Sequence, residues 1–174
     1  MSLAVFETFL VFAERAMHSK ADLPDDLDPV ELASVFASYG VVLLHSQMEQ
    51  CVKKAVSLRC AKCADPEVRS FAQSIVEEKT GKLGLQSLNQ TLNRFGAQCK
   101  IVFQTELDAT GLNASWDSVI NHRRIVAHEG KPAALTLGDL RLYFDGVRRI
   151  LGFYCKALGL SVVETNGISP LIIF

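Results

Sequence analysis

Apolar residues recur at three- and four-residue steps through most of this chain. Over 2–19, Leu3, Phe6, Leu10, Ala13 and Met17 form one stripe, widened by Phe9. That spacing predicts an amphipathic helix. A polar break follows at 20–27. Asp28, Pro29 and Glu31 then supply an N-cap, a proline at the first helical position and an acid placed for a capping box. The helix they open is expected to run from 29 to about 62 and to form a spine for the others. Asp65-Pro66-Glu67 repeats the start signal for a third helix, expected to reach Lys79 and stop at Gly81. A shorter helix is expected over 85–95, ending at Gly96. Residues 97–112 show no clear period, although Ile101, Val102 and Phe103 call for burial.

Asn113 or Ser115 suits the cap of the next helix, on which Trp116, Val119, Ile120, Ile125 and Val126 turn toward a core. Gly130 offers its stop and Pro132 reinforces it. Thr136 and Asp139 open a last helix with a Ser/Thr-x-x-acid cap. Leu140, Tyr143, Phe144, Val147, Ile150, Leu151, Tyr154 and Leu158 follow at helical spacing, and Gly159 closes it. In 160–174, Val162-Val163, Asn166-Gly167 and Leu171–Phe174 suit a short hairpin or an extended tail packed on the core. Pro170 in the second arm favours the tail. The expectation is an all-α bundle of about five helices. It forms one domain over 1–174, with a core at 29–159 and the tail after it.

Composition narrows this little. An apolar share of 49% and a charged share of 21% are those of a folded globular chain. The net charge of −1 creates no global field for nucleic acid, so any such site must come from local clustering. The five cysteines, Cys51, Cys60, Cys63, Cys99 and Cys155, are odd in number. The apolar start is interrupted by Glu7 and Thr8 without a basic segment before it, unlike a secretory signal. No apolar run is long enough to span a bilayer. A reducing, cytoplasmic setting without membrane contact is expected. Cys60-Ala-Lys-Cys63 has no second ligand pair and reads as structural thiols. There is no His-Glu-x-x-His, the four histidines are scattered, and no Gly-rich phosphate loop follows a strand. Neither a metal nor another cofactor is expected.

The chemistry concentrates in residues 121–130, Asn-His-Arg-Arg-Ile-Val-Ala-His-Glu-Gly. Arg123 supplies a permanent forked cation for a phosphate. His128 supplies a proton donor or acceptor that titrates near neutral pH, although a histidine there also serves as a capping cation. Five residues turn an α-helix by about 500°, leaving roughly 140° between Arg123 and His128, whereas four leave about 40°. On a regular helix Arg124 therefore shares the face of His128. Arg123 does so only if the helix ends near Ala127 and His128 swings into the turn. His122 and His18 read as surface residues, and His45 as a core histidine or a residue lining the cleft. Glu49 reads as an acidic partner of the motif or part of a solvated face. Lys53, Lys54, Arg59 and Lys62 cluster at the end of the long helix, and Arg141, Arg148 and Arg149 lie on the last. They form a positive cleft for RNA if these faces flank the motif, and otherwise serve solubility.

Motif and context together resemble the HEPN superfamily, small helical bundles with an Arg-(x)4–6-His motif near the end of a late helix. Arg123-Arg124-Ile125-Val126-Ala127-His128, then Glu129-Gly130, looks like the form found in the RiboL-PSP type branch. Leu43-Leu44-His45-Ser46-Gln47-Met48-Glu49 looks like its early helix, which often carries an acidic residue facing the motif. Arg124 departs from the pattern, since a polar residue such as Asn is usual there. The resemblance implies a metal-independent endoribonuclease, in which the substrate's 2′-hydroxyl attacks the adjacent phosphorus. It assigns His128 to proton transfer and Arg123, with Arg124 as runner-up, to the developing charge, with Glu49 beside them. His122, Arg141, Arg148, Lys53 and Lys54 are the expected RNA contacts. It also implies a C2 homodimer with a composite site and a toxin or defence role restrained by a cognate antitoxin. A non-catalytic bundle that binds a partner protein or RNA is the other reading.

Overall fold

Seven α-helices account for nearly all of the described chain: α1 Ala4–His18, α2 Pro29–Ala61, α3 Pro66–Lys79, α4 Leu85–Phe95, α5 Ala97–Thr110, α6 Asn113–Arg124 and α7 Leu137–Ala157. The structure, a computed structural model, describes residues 3–19, 28–79, 83–163 and 172–173. The polar break at 20–27, the stop at Gly81 and the Asn166-Gly167 turn lie outside them. The all-α bundle is therefore the fold, with seven helices among the described residues rather than about five.

Local signals placed most of these boundaries. Asp28 caps α2 by accepting from the Val30 N–H at 2.8 Å. Asp65 caps α3 by accepting from the Glu67 and Val68 N–H groups. Thr136 and Asp139 form a complete reciprocal capping box at α7. Two expectations fail at α6 and α5. Leu112 occupies the N-cap position of α6, and neither Asn113 nor Ser115 caps it. The segment after Gly96 is helical and points only Phe103 and Leu107 fully inward. Ile101 is exposed and Val102 half-buried, because three consecutive apolar residues on a helix spread over too wide an arc to share one face.

α2 is the spine, packing against α1, α3, α6 and α7. Its length and composition would suffice to cross a bilayer, contrary to the expectation that no segment would. Gly40 lets the spine meet its neighbours: a Cβ there would run into Leu140 Cδ2 of α7 and stand 2.8 Å from Phe9 Cε1 of α1. The core also begins earlier than residue 29. Leu3, Phe6 and Leu10 of α1 belong to it, and Phe6 packs on Phe144 of α7 with ring centroids 5.0 Å apart. Trp116 is fully buried and donates its indole N–H to the Leu83 carbonyl at 2.7 Å, fastening α6 to the start of α4.

Past Gly159, which takes a left-handed φ of 66°, β1 Val162–Val163 pairs antiparallel with β2 Ile172–Ile173. The second arm thus pairs with the first, where Pro170 had favoured an unpaired tail. Pro170 itself lies outside the described residues.

Candidate functional site

The end of α6 is not a regular helix. Ile125–Glu129 form a π-helical turn, closed by Gly130 at φ 63°, ψ 16°. Ile125 and Val126 are adjacent β-branched residues, which lose side-chain freedom against the preceding turn and weaken an α ladder there. A π turn bonds residue i to i+5, so positions five apart come onto one side. Arg123 Nη1 lies 3.2 Å from His128 Nε2. Arginine can only donate, so this bond requires an unprotonated Nε2 on His128. The expected route, a helix ending near Ala127, is replaced by a widening of the helix itself. Arg124 stands exposed.

α2 runs past this turn. His45 is half-buried on it. Its pKa is held below the usual 6.5, first by burial and then by the Arg123 guanidinium, with Glu49 pulling the other way. His45 is therefore only partly enclosed by the core and lies within electrostatic reach of Arg123. Glu49 is half-buried, and its carboxylate accepts from Lys53 Nζ at 2.6 Å. It lies one turn from His45, but its carboxylate is bonded to Lys53 rather than to the motif arginine. Directly after the motif, the Ala133 N–H donates to Ser38 Oγ of α2 at 2.9 Å and ties down the loop that leads to α7.

His122 is half-buried, not a surface residue. Its ring stacks on Tyr143 of α7, centroids 6.2 Å apart and planes at 23°, and its Nδ1 is buried without a hydrogen-bond partner. His18 is exposed, as expected, with Nδ1 2.6 Å from the Glu14 carbonyl.

Two of the expected RNA-binding cations are engaged by carboxylates. Arg141 grips Glu14 of α1 in a bidentate pair at 2.9 and 2.6 Å. Arg141 and Arg148 lie about 140–180° around α7 from Asp139 and Tyr143, the side that meets His122, and Arg141 turns to α1 instead. Arg148 is half-buried, with Nε shielded and unpartnered. Lys53 is neutralised by Glu49. Lys62 donates to the Gly159 carbonyl at 2.9 Å, roughly 25 Å along α2 from His45. Lys54 and Arg149 are exposed.

What the arrangement can do chemically follows. One fixed cation, Arg123, sits against one accessible imidazole, His128, with a second imidazole, His45, within its electrostatic reach. A phosphate that displaced the Arg123–His128 bond would take the guanidinium and leave the imidazole free to move a proton. Sequence reasoning named His45 only as one of two alternatives. What brings His45 into view is the charge of Arg123, 78 residues away in the chain, which no local pattern carries. Comparison with protein-family models, with curated proteins and with solved structures returns no match.

Proposed function

We propose that this chain is a metal-independent endoribonuclease of HEPN type, cleaving RNA through attack of a 2′-hydroxyl on the adjacent phosphorus. The observation that carries the reading is the Arg123–His128 pair, 3.2 Å apart on a π turn. Single π turns concentrate at functional sites, and this one serves to bring a phosphate-binding group and a proton-transfer group together. Arg123 holds the non-bridging oxygens as charge develops, and His128 handles a proton at the same phosphate. Arg124, exposed one residue on, adds cationic field beside the motif. Glu49 acts through its neighbours rather than on the substrate. DNA is not a substrate, because it lacks the nucleophile.

The protein works as a homodimer in the cytoplasm, as a toxin or defence effector under restraint by an antitoxin protein. Support for self-association comes from the outer face of α1 and α2. There Phe12, Val35 and Tyr39 are 58–62% exposed, and Phe12 reaches Phe36 to make the surface continuous. The same face favours the second reading, a bundle that binds a partner protein without catalysis.

Incubating total and transfer RNA with wild type and His128→Ala in EDTA, then analysing product ends, separates the two. Cleavage that leaves cyclic phosphates and vanishes in the variant supports the enzyme. A folded wild type that leaves all RNA intact moves the function to binding.

A further inference from the structure

An in-line displacement has two ends, and one imidazole cannot easily serve both. Ser38 and His45 are seven residues apart on α2, within about 20° of each other around the helix axis. Ser38 is the residue that holds the loop leaving the motif, through the Ala133 N–H. The stripe that carries His45 therefore faces that loop and the turn before it. α2 packs against both α6 and the π turn. The charged groups that act on the His45 ring are Glu49 from its own helix and Arg123 from α6. Glu49 is already bonded to Lys53. Arg123 in turn donates to His128. One guanidinium thus bonds the imidazole of His128 and acts through its charge on that of His45, which arrives from a different helix.

We propose that His45 is the general base and His128 the general acid of a single protomer, with the scissile phosphodiester held at Arg123 between them. This rests on the ribonuclease reading above. The step balances. His45 takes the proton of the 2′-hydroxyl, and the 2′-oxygen forms its bond to phosphorus. The bond from phosphorus to the 5′-oxygen breaks, and protonated His128 delivers its proton to that oxygen. The products are a 2′,3′-cyclic phosphate and a free 5′-hydroxyl. One proton is taken up and one released, so no outside reagent is needed. His45 is suited to the base role, because burial and Arg123 keep it neutral near pH 7. His128 is exposed and reloads from water once phosphate has displaced it from Arg123. Dimerisation then shapes or stabilises the site without having to lend it a second histidine.

The test uses wild type, His45→Gln and His128→Ala on an oligonucleotide with one ribonucleotide, and on its twin with sulfur at the 5′ leaving position. Sulfur leaves without a proton, so it bypasses the acid but not the base. The expected result is a loss of at least ~100-fold for both variants on the oxygen substrate. On the sulfur substrate His128→Ala recovers and His45→Gln does not. The acidic limb of the wild-type pH profile should lie below pH 6.5 and disappear in His45→Gln. Mixing the two variants should restore nothing, since each protomer lacks one member of its own pair. Tryptophan fluorescence of Trp116 confirms that each variant is folded. His45→Gln within fivefold of wild type overturns the assignment. So does its rescue by sulfur, or activity regained on mixing, which would place the pair across two protomers. A wild type that cleaves neither substrate sinks the ribonuclease reading itself, and the inference with it.

Discussion

Arg123 reaches His128 across one π turn, Nη1 to Nε2 at 3.2 Å, while Arg124, one residue nearer in sequence, stands exposed. The two arginines are therefore unequal. Arg123→Ala should lower kcat/KM for RNA by ~100- to 1,000-fold, the usual loss for a charge-stabilising donor, and Arg124→Ala by less than about tenfold, since a mobile surface cation is screened. Steady-state cleavage of a short RNA compares them directly. Equal losses would mean that the wide turn does not choose between them. Arg123→Ala should also move the titration midpoint of His45 upward, read by NMR without any RNA, because it removes the second of the two influences that depress it.

Gly146 of α7 passes Ser115 of α6 so closely that a Cβ would sit 2.5 Å from the Ser115 Cβ. Both atoms are attached directly to helix backbone, so neither can rotate away. Gly146→Ala should destabilise the fold by about 1–3 kcal/mol through overpacking, despite the better helix propensity of alanine. Urea unfolding followed by Trp116 fluorescence measures it. Adding Ser115→Gly should recover part of the loss; a double variant no better than the single would place the strain elsewhere.

The capping box of α7 ties stability to pH. The Asp139 carboxyl is held below its usual 3.8, first by the Thr136 backbone N–H and then by the Thr136 hydroxyl. A depressed folded value means the stabilisation is complete above the ordinary carboxyl pKa and is lost as pH falls through the lower folded one. Wild type and Asp139→Asn should therefore differ in unfolding midpoint near neutral pH and converge below about pH 4. Parallel curves down to pH 2 would contradict this. Thr136→Ala should cost about 1 kcal/mol at neutral pH.

Burial pushes the Cys51 thiol to about 11 and the Cys155 thiol to about 12. Cys60 is also raised, by burial first and Cys63 second. Thiolate is the reactive form. Brief alkylation of the native protein at pH 8, with mass-spectrometric mapping, should mark the half-buried Cys63 and Cys99 ahead of Cys51, Cys60 and Cys155. Early labelling of Cys51 would show that the α2–α7 contact opens readily.

Features written in short stretches were legible. Asp28, Asp65 and Thr136 each cap within three residues of themselves, so composition and spacing identify them. The helical segment after Gly96 was not, because its N-cap glycine sits at φ 133°, a conformation that glycine permits but does not announce. The pairing of Arg141 with Glu14 spans 127 residues and depends on the path of the whole chain. It removed Arg141 from the expected phosphate contacts, which a charge count cannot do. The Arg123 side of the motif is the instructive case. Regular helical arithmetic favoured Arg124, and only a change of period within the last turn reverses it. No pattern of apolar residues over five positions distinguishes that change from ordinary helix.

The π turn also frees the motif from the rest of its helix. Trp116 and Val119 fix the register of α6 against the core about two turns and one turn before Arg123. A turn that already accommodates a surplus residue acts as a slack joint, taking up length without transmitting it backward. The separation of the arginine and the histidine can then drift by a residue over generations while the buried half of the helix stays as it is. Bundles built this way can vary their chemistry at one end and keep their architecture at the other.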